Sequence, residues 1–310
     1  LFQLVSVARI GLILSLLSLL PASFAAAAPA LLHRDHPLAG SLWDTRSGQR
    51  VEPRVLLAEA AEVRWVLLGE KHDNAEHHRL QAWVVDRLGR LGGRRAVVWE
   101  MAEPEHAATL GAASLDTVDG LGAAIEWESR GWPAWQDYLP IAEAALIHRM
   151  ALRPGKPSRD LVRRIGKGTA LPADLAARLN WQRRLPAGEQ DELLEELAVS
   201  HCGALSEAAL GPMAEVQQFW DAWMADAMQR ATAPPLAAKQ VILIAGSGHV
   251  RKDRAVPWRL PGRSLSLAPV EVVAGEPVAS DYPSFDAALF DYVWFTPRVD
   301  EKDPCAAFAK

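Results

Sequence analysis

Cysteine is almost missing from this chain; Cys202 and Cys305 are the only two. That excludes a cysteine-built metal centre and a disulfide-dense scaffold. No lysine- or arginine-rich run occurs, and the formal net charge is −5 over 310 residues. Binding to a nucleic-acid backbone through a basic surface is therefore excluded as the function. No internal repeat is found, which excludes a solenoid or propeller. Tyrosine is scarce as well, at three residues against twelve tryptophans. Hydrophobic residues make up 50% and charged residues 23%. That is the composition of a globular chain able to bury a sizeable core. The length suggests two domains, or one large domain with an insertion.

One apolar stretch stands apart. Residues 10–20 form a run too short to span a membrane comfortably. Arg9 precedes it, Pro21 ends it, and an Ala-rich zone reaches Ala30. A positive start, a short apolar core and small residues at a cleavage zone read as a secretory signal peptide over 1–28. The alternative is an uncleaved anchor. No cysteine sits at the cleavage zone to accept a lipid, so the expected location is periplasmic or exported. In such a compartment the two cysteines become disulfide candidates. A Cys202–Cys305 bridge would pin the tail to a helical region; the alternative is two buried free thiols.

Periodicity predicts a mainly parallel, doubly wound α/β sheet flanked by helices and interrupted by a smaller all-helical insertion. The sheet domain is assigned to 38–103 and 236–310, and the helical insertion to 104–235. Residues 44–48 read as a hairpin turn. Continuous apolar runs at 64–69, 95–100 and 240–245 have the pattern of buried parallel strands. Residues 264–273 and 292–296 add sheet character. Asp73 and Asn74 offer helix caps before a helix that Gly92 and Gly93 stop. Residues 135–149 and 206–230 read as long helices. The second of these is expected to align Met213, Val216, Phe219, Trp220, Trp223 and Ala227 on one face. Residues 152–159, with two prolines and a glycine, read as a loop.

Two of the apolar runs end alike, in Gly69-Glu70-Lys71-His72 and in Gly246-Ser247-Gly248-His249. A third ends in Trp99-Glu100-Met101. Ligands of open α/β sheets bind outside the carboxyl ends of strands. His72, His249, Glu70 and Glu100 can therefore converge there. Imidazole plus carboxylate is the ligand set of Zn, Mn or Fe(II) sites. The same set, with Glu70 and Glu100 as catalytic carboxylates, could do acid–base work. The alternative is that the two histidines are turn residues bonded to nearby backbone. His77 and His78 stand in the first turns of a helix, where free N–H groups favour an anion such as a haem propionate; the alternative is a pair of solvent-facing histidines. Trp132 and Trp135 precede Tyr138, a set that could hold a porphyrin with the phenol as axial ligand. A hydrophobic staple and a core tyrosine are the alternative.

These blocks resemble the ChaN-like family. The resemblance rests on Leu68 through Asn74 with His77, His78 and Gln81, on Trp99-Glu100-Met101, and on Gly131-Trp132-Pro133 with Tyr138. It continues through Met213 to Asp221, Ile244 to Arg251 and Asp291 to Thr296. It runs from about residue 40 to Cys305. The family is described as haem-binding uptake or iron-regulated proteins, in a superfamily with Tiki metallopeptidases and erythromycin esterases. The resemblance implies haem binding outside the cytoplasm, a homodimer, and envelope haem-uptake components as partners. The Tiki branch is similar through paired Gly-x-x-His motifs and a carboxylate, read there as a divalent-metal site. At 150–157, where relatives tend to carry an apolar strand and an Asn, this chain has Met-Ala-Leu-Arg-Pro-Gly-Lys-Pro. The leading expectation is thus a haem- or iron-binding protein for haem or iron acquisition. A divalent-metal-dependent hydrolase of peptides or esters is the alternative, and a non-catalytic scaffold a third reading.

Overall fold

Eight strands build one sheet: β1 (Leu42–Asp44), β2 (Gln49–Val51), β3 (Trp65–Leu68), β4 (Arg95–Trp99), β5 (Ala151–Pro154), β6 (Gln240–Ile244), β7 (Ser264–Glu271) and β8 (Tyr292–Thr296). They lie in the order β2-β1-β8-β7-β3-β6-β4-β5. The run from β8 to β5 is parallel, and only the β1–β2 hairpin and its junction with β8 are antiparallel. This is a computed structural model, and it describes residues 31–307. The expected signal peptide over 1–28 lies outside the described residues. Residues from Leu31 onward form one compact unit. Among the described residues no helix is long and apolar enough to cross a membrane.

Among the described residues ten helices follow in chain order: α1 (Pro53–Ala61), α2 (Ala75–Gly89), α3 (Ala107–Ala112), α4 (Leu121–Ala124), α5 (Trp135–Ile147), α6 (Arg159–Gly166), α7 (Ala173–Arg178), α8 (Ala187–Ser200), α9 (Glu207–Ala231) and α10 (Val256–Arg259). Asn74 caps α2 by accepting the Glu76 N–H at 2.9 Å, which satisfies one of the free donors of a helix start. The pleat of each central strand sorts its side chains. Val66, Leu68, Val97, Trp99, Ile242 and Ile244 meet α1, α2 and α5 on one face. Trp65, Leu67, Ala96, Val98, Val241 and Leu243 meet α9 and α10 on the other. A strand buried on both faces needs an unbroken apolar run, which is why these segments are legible without alternation. Each fully buried Val or Leu contributes about 1.5–3 kcal/mol.

The segment 104–235 is helical with one exception. Its residues 151–154 are not loop, as the prolines suggested, but the strand β5, paired with β4 alone. An edge strand tolerates Pro154 because one side of its ladder needs no donor. Helix α9 also departs from the expected single apolar face. Met224 and Met228 pack on the sheet, while Phe219 and Trp223 pack with Ile165 and Trp181 of the α6–α7 region. Being buried on two sides, α9 has no one stripe to read.

Cys202 and Cys305 form a disulfide with their Cα atoms 5.5 Å apart and a separation of 103 positions in sequence. It ties the chain just beyond α8 to the C-terminal segment. Closing so long a loop removes much entropy from the unfolded chain. Reduction is expected to lower the unfolding free energy by roughly 2–4 kcal/mol, measured by denaturant titration with and without reductant. Coincident curves would contradict a stabilising bridge.

Candidate active and ligand-binding site

The middle of the sheet, β3-β6-β4, carries the three strand ends that the sequence singled out. Beyond them the backbone stays tied together. The Glu100 N–H donates to the Ile244 carbonyl at 3.0 Å, and the Ser247 N–H to the Glu70 carbonyl at 2.9 Å. Glu70, His72, Glu100 and His249 are thereby brought onto one edge.

Glu70 is buried, with no exposed side-chain surface. Its Oε1 accepts from the His72 Nδ1–H at 2.6 Å and from the Tyr138 hydroxyl at 2.6 Å. Burial would raise the Glu70 pKa, but the His72 bond, the nearby His78 and the Tyr138 bond pull it down to about 2. His72 is pushed the other way: burial lowers it, and Glu70 with Glu100 outweighs that and raises it. A carboxylate on Nδ1 fixes the ring and its tautomer. That leaves Nε2 facing the cleft, 4.0 Å from Glu100 Oε1.

A second pair mirrors the first. The His249 Nδ1–H donates to Asp221 Oδ1 of α9 at 2.7 Å, and its Nε2 lies 3.5 Å from Glu100 Oε1. Glu100 itself is fixed by the Gly246 N–H, which donates to its Oε2 at 2.7 Å. A side chain at Gly246 would put a Cβ only 3.2 Å from His72 Nε2, so glycine is what lets the ring approach this turn. Burial lowers the His249 pKa, but Glu100 and Asp221 raise it to about 9. Burial raises the Asp221 pKa, against the pull of His249. With two carboxylates on one imidazole, the pair is an imidazolium–carboxylate.

The structure places several of the predicted residues in buried, hydrogen-bonded positions. Glu70 is not a free ligand or catalytic base, because one oxygen is taken by His72 and Tyr138 and the other lies 3.7 Å from buried His78. Tyr138 is 0% exposed, clamped by Trp99 and Trp127. Burial and the Glu70 carboxylate push its phenol far above the usual range. In this structure its hydroxyl is engaged by Glu70 and has no exposed surface. His77 is also buried; it accepts the Lys71 N–H at 2.8 Å and donates to Thr296 Oγ1 at 2.8 Å. Burial lowers its pKa to about 3, so it is a neutral strut. His78 stacks on Tyr138 with ring centroids 3.8 Å apart, and burial lowers its pKa too. Neither histidine faces solvent, and neither offers a propionate site. Of the four haem candidates only Trp132 lines the cleft, its ring edge-on to His72 at 5.1 Å.

Sequence reasoning missed Asp221, Gln217, Trp220 and Lys156. Trp220 stacks on His249 at 5.9 Å, and the Gln217 amide lies 3.3 Å from His249 Nδ1. Gln217, Trp220 and Asp221 are three and four apart on α9, the spacing of one helix face; that spacing, and their place in the family-like block Met213 to Asp221, were the signals available. Trp220 and Gln217 also line an apolar cavity of about 450 Å³ with Met213, Val216 and Leu197. Elsewhere, Glu189, Glu192 and Asp253 bring ligand atoms within 4.8 Å of one another. Arg251 and Arg254 already pair with that group, which makes it part of an ion-pair network.

The His249 pair gives a pH prediction. Its folded pKa lies above the ordinary 6.5. The stability it contributes is therefore complete below pH 6.5 and lost as pH rises through about 9. In Asp221→Asn the His249 midpoint, followed by NMR, should fall toward 6.5, and the loss of stability over that window should shrink. An unmoved midpoint would contradict the pairing.

The family described as haem-binding uptake, Tiki superfamily, ChaN matches residues 56–260. No curated protein matches the chain's sequence. Among solved structures, ChaN of Campylobacter jejuni, described for cofacial haem binding, is 21% identical. The likeness covers 82% of this chain and 95% of that one, with a TM-score of 0.61. The type III effector HopBA1 is 15% identical over 78% and 92% of the two chains, with a TM-score of 0.46. An erythromycin esterase mutant in its open conformation is 11% identical over 85% and 99%, with a TM-score of 0.44. The matched segment takes in β3, β4 and β6 with both Gly-x-x-His turns, and the chain belongs to the haem-binding uptake family ChaN of the Tiki superfamily.

Proposed function

We propose that this chain binds haem at the carboxyl edge of its sheet, with His72 Nε2 facing the iron, and serves haem or iron acquisition. One observation carries the reading. His72 has its Nδ1 held by Glu70 at 2.6 Å, and its side chain is 36% exposed, against 9% for His249 and none for Glu70. An anchored imidazole with its far nitrogen in an open cleft is the form of an axial haem ligand. Trp132 beside it, Trp220 across it and the adjoining apolar cavity suit a flat, apolar ring. The family description and the Campylobacter jejuni relative support haem as the ligand. The disulfide supports action outside the cytoplasm, where thiols stay oxidised. A homodimer and envelope haem-uptake partners belong to the same proposal.

Haemin added to the wild-type protein should give a shifted Soret band. His72→Ala should lose that band or move it to that of free haemin. Tyr138→Phe should keep it, because the phenol lies behind Glu70. Loss in Tyr138→Phe with retention in His72→Ala would overturn the assignment.

A second reading rests on the paired geometry. Both imidazoles direct Nε2 at the same Glu100 oxygen, at 4.0 and 3.5 Å. Two nitrogens and a carboxylate are the donor types that Zn²⁺ and Mn²⁺ take. His72, His249 and Glu100 would hold the ion, which when bound supplies an acidified water for hydrolysis. Metal content after loading separates the readings. His249→Ala should lose bound metal yet keep the haemin band; equal metal in both proteins would count against the second reading.

A further inference from the structure

We propose that Lys156 is the residue that recognises an anionic substituent of the ligand, a carboxylate carried on the edge of the porphyrin; the inference rests on the haem reading above.

Lys156 follows β5 in the stretch where the family pattern is broken. Gly155 places it: a Cβ there would sit 2.9 Å from the Trp99 carbonyl oxygen and 2.9 Å from Val98 Cγ1. The Gly155 N–H donates to that carbonyl at 2.8 Å, and the Lys156 N–H to the Ala102 carbonyl at 2.9 Å. The backbone is thus laid across the end of β4, beside Glu100, and the side chain runs over the cleft. Its ammonium lies 4.9 Å from the Trp132 ring centroid and 5.2 Å from that of Trp220. These are the indoles that touch His72 and His249. Lys156 therefore spans the two walls of the site.

Its charge is poorly matched. The nearest carboxylate oxygen is Glu103 Oε1 at 3.8 Å, beyond hydrogen-bond reach. That oxygen is already shared by Arg130 at 2.7 Å and Arg159 at 3.5 Å. Arg130 also pairs with Glu105 and Glu126, but Lys156 draws nothing from those. Among the described residues no acceptor lies within hydrogen-bond distance of its Nζ. The indole N–H of Trp220 is buried and has no partner either. Indole faces hold a cation by their quadrupole but take none of its N–H bonds. A largely buried ammonium with open donors binds a carboxylate through a charge-assisted bond. A carboxylate on the edge of a ring entering the cleft would meet it there.

The test compares haemin with haemin dimethyl ester, whose carboxylates are capped, in wild type, Lys156→Met and Lys156→Arg. Binding is read from the Soret band. Wild type should favour free-acid haemin over the ester by roughly tenfold or more. Lys156→Met should lose that preference while binding the ester as wild type does, and Lys156→Arg should restore part of it. Equal weakening toward both ligands, or no change toward either, overturns the role of Lys156 and leaves the haem reading standing. Absence of any Soret change in wild type overturns the haem reading, and this inference with it.

Discussion

A carboxylate with no exposed surface organises this site. Glu70 ends a strand buried on both faces, and an unpaired charge there would cost several kcal/mol. It is held instead by an imidazole and a phenol. Those two bonds set the positions of His72 and Tyr138 together, one on the turn after β3 and one on α5. The phenol becomes an inert donor, and the imidazole becomes a fixed group with one nitrogen presented outward. Trp99, Trp127 and Trp135 fill the space behind the phenol. Three of the twelve tryptophans thus help to seal that carboxylate from water.

The second histidine repeats the device with a different element. Asp221 comes from α9, 28 residues before His249 in sequence, so the helical segment is needed to complete a sheet-edge site. Glu100 lies between the two imidazoles and is tied to the Gly246 backbone. The result is a row, Glu70–His72–Glu100–His249–Asp221, in which each imidazole has a carboxylate on either side. Both histidines have their pKa values raised for that reason. Such a row can present a nitrogen to an iron or hold a small cation.

The sheet was legible because strands covered on both faces leave unbroken apolar runs, as at Trp65–Leu68 and Gln240–Ile244. The strand-end quartet was legible because parallel strands deliver their following turns to a common edge. The edge strand Ala151–Pro154 was not, because pairing on one side frees it from the composition that marks a strand. His77 and His78 were misplaced for a related reason, whereas burial of Tyr138 matches the core tyrosine held as the alternative. Polar side chains near a helix start look exposed in sequence, and only the three-dimensional neighbours, Thr296, Glu70 and Trp127, show that they are buried struts. Asp221 closes the family-like block Met213 to Asp221 but nothing local marks its role, and Lys156 carries no local motif; their roles arise from contacts across the fold.

The identity of the atom on the iron tests the account most directly. Resonance Raman spectroscopy of the haem-loaded wild-type protein distinguishes an imidazole from a phenolate ligand. The account predicts an iron–imidazole stretch in the ferrous form and no tyrosinate modes in the ferric form. Tyrosinate modes without the imidazole stretch would contradict it, since they would require Tyr138 to leave Glu70 and the aromatic cluster that encloses it.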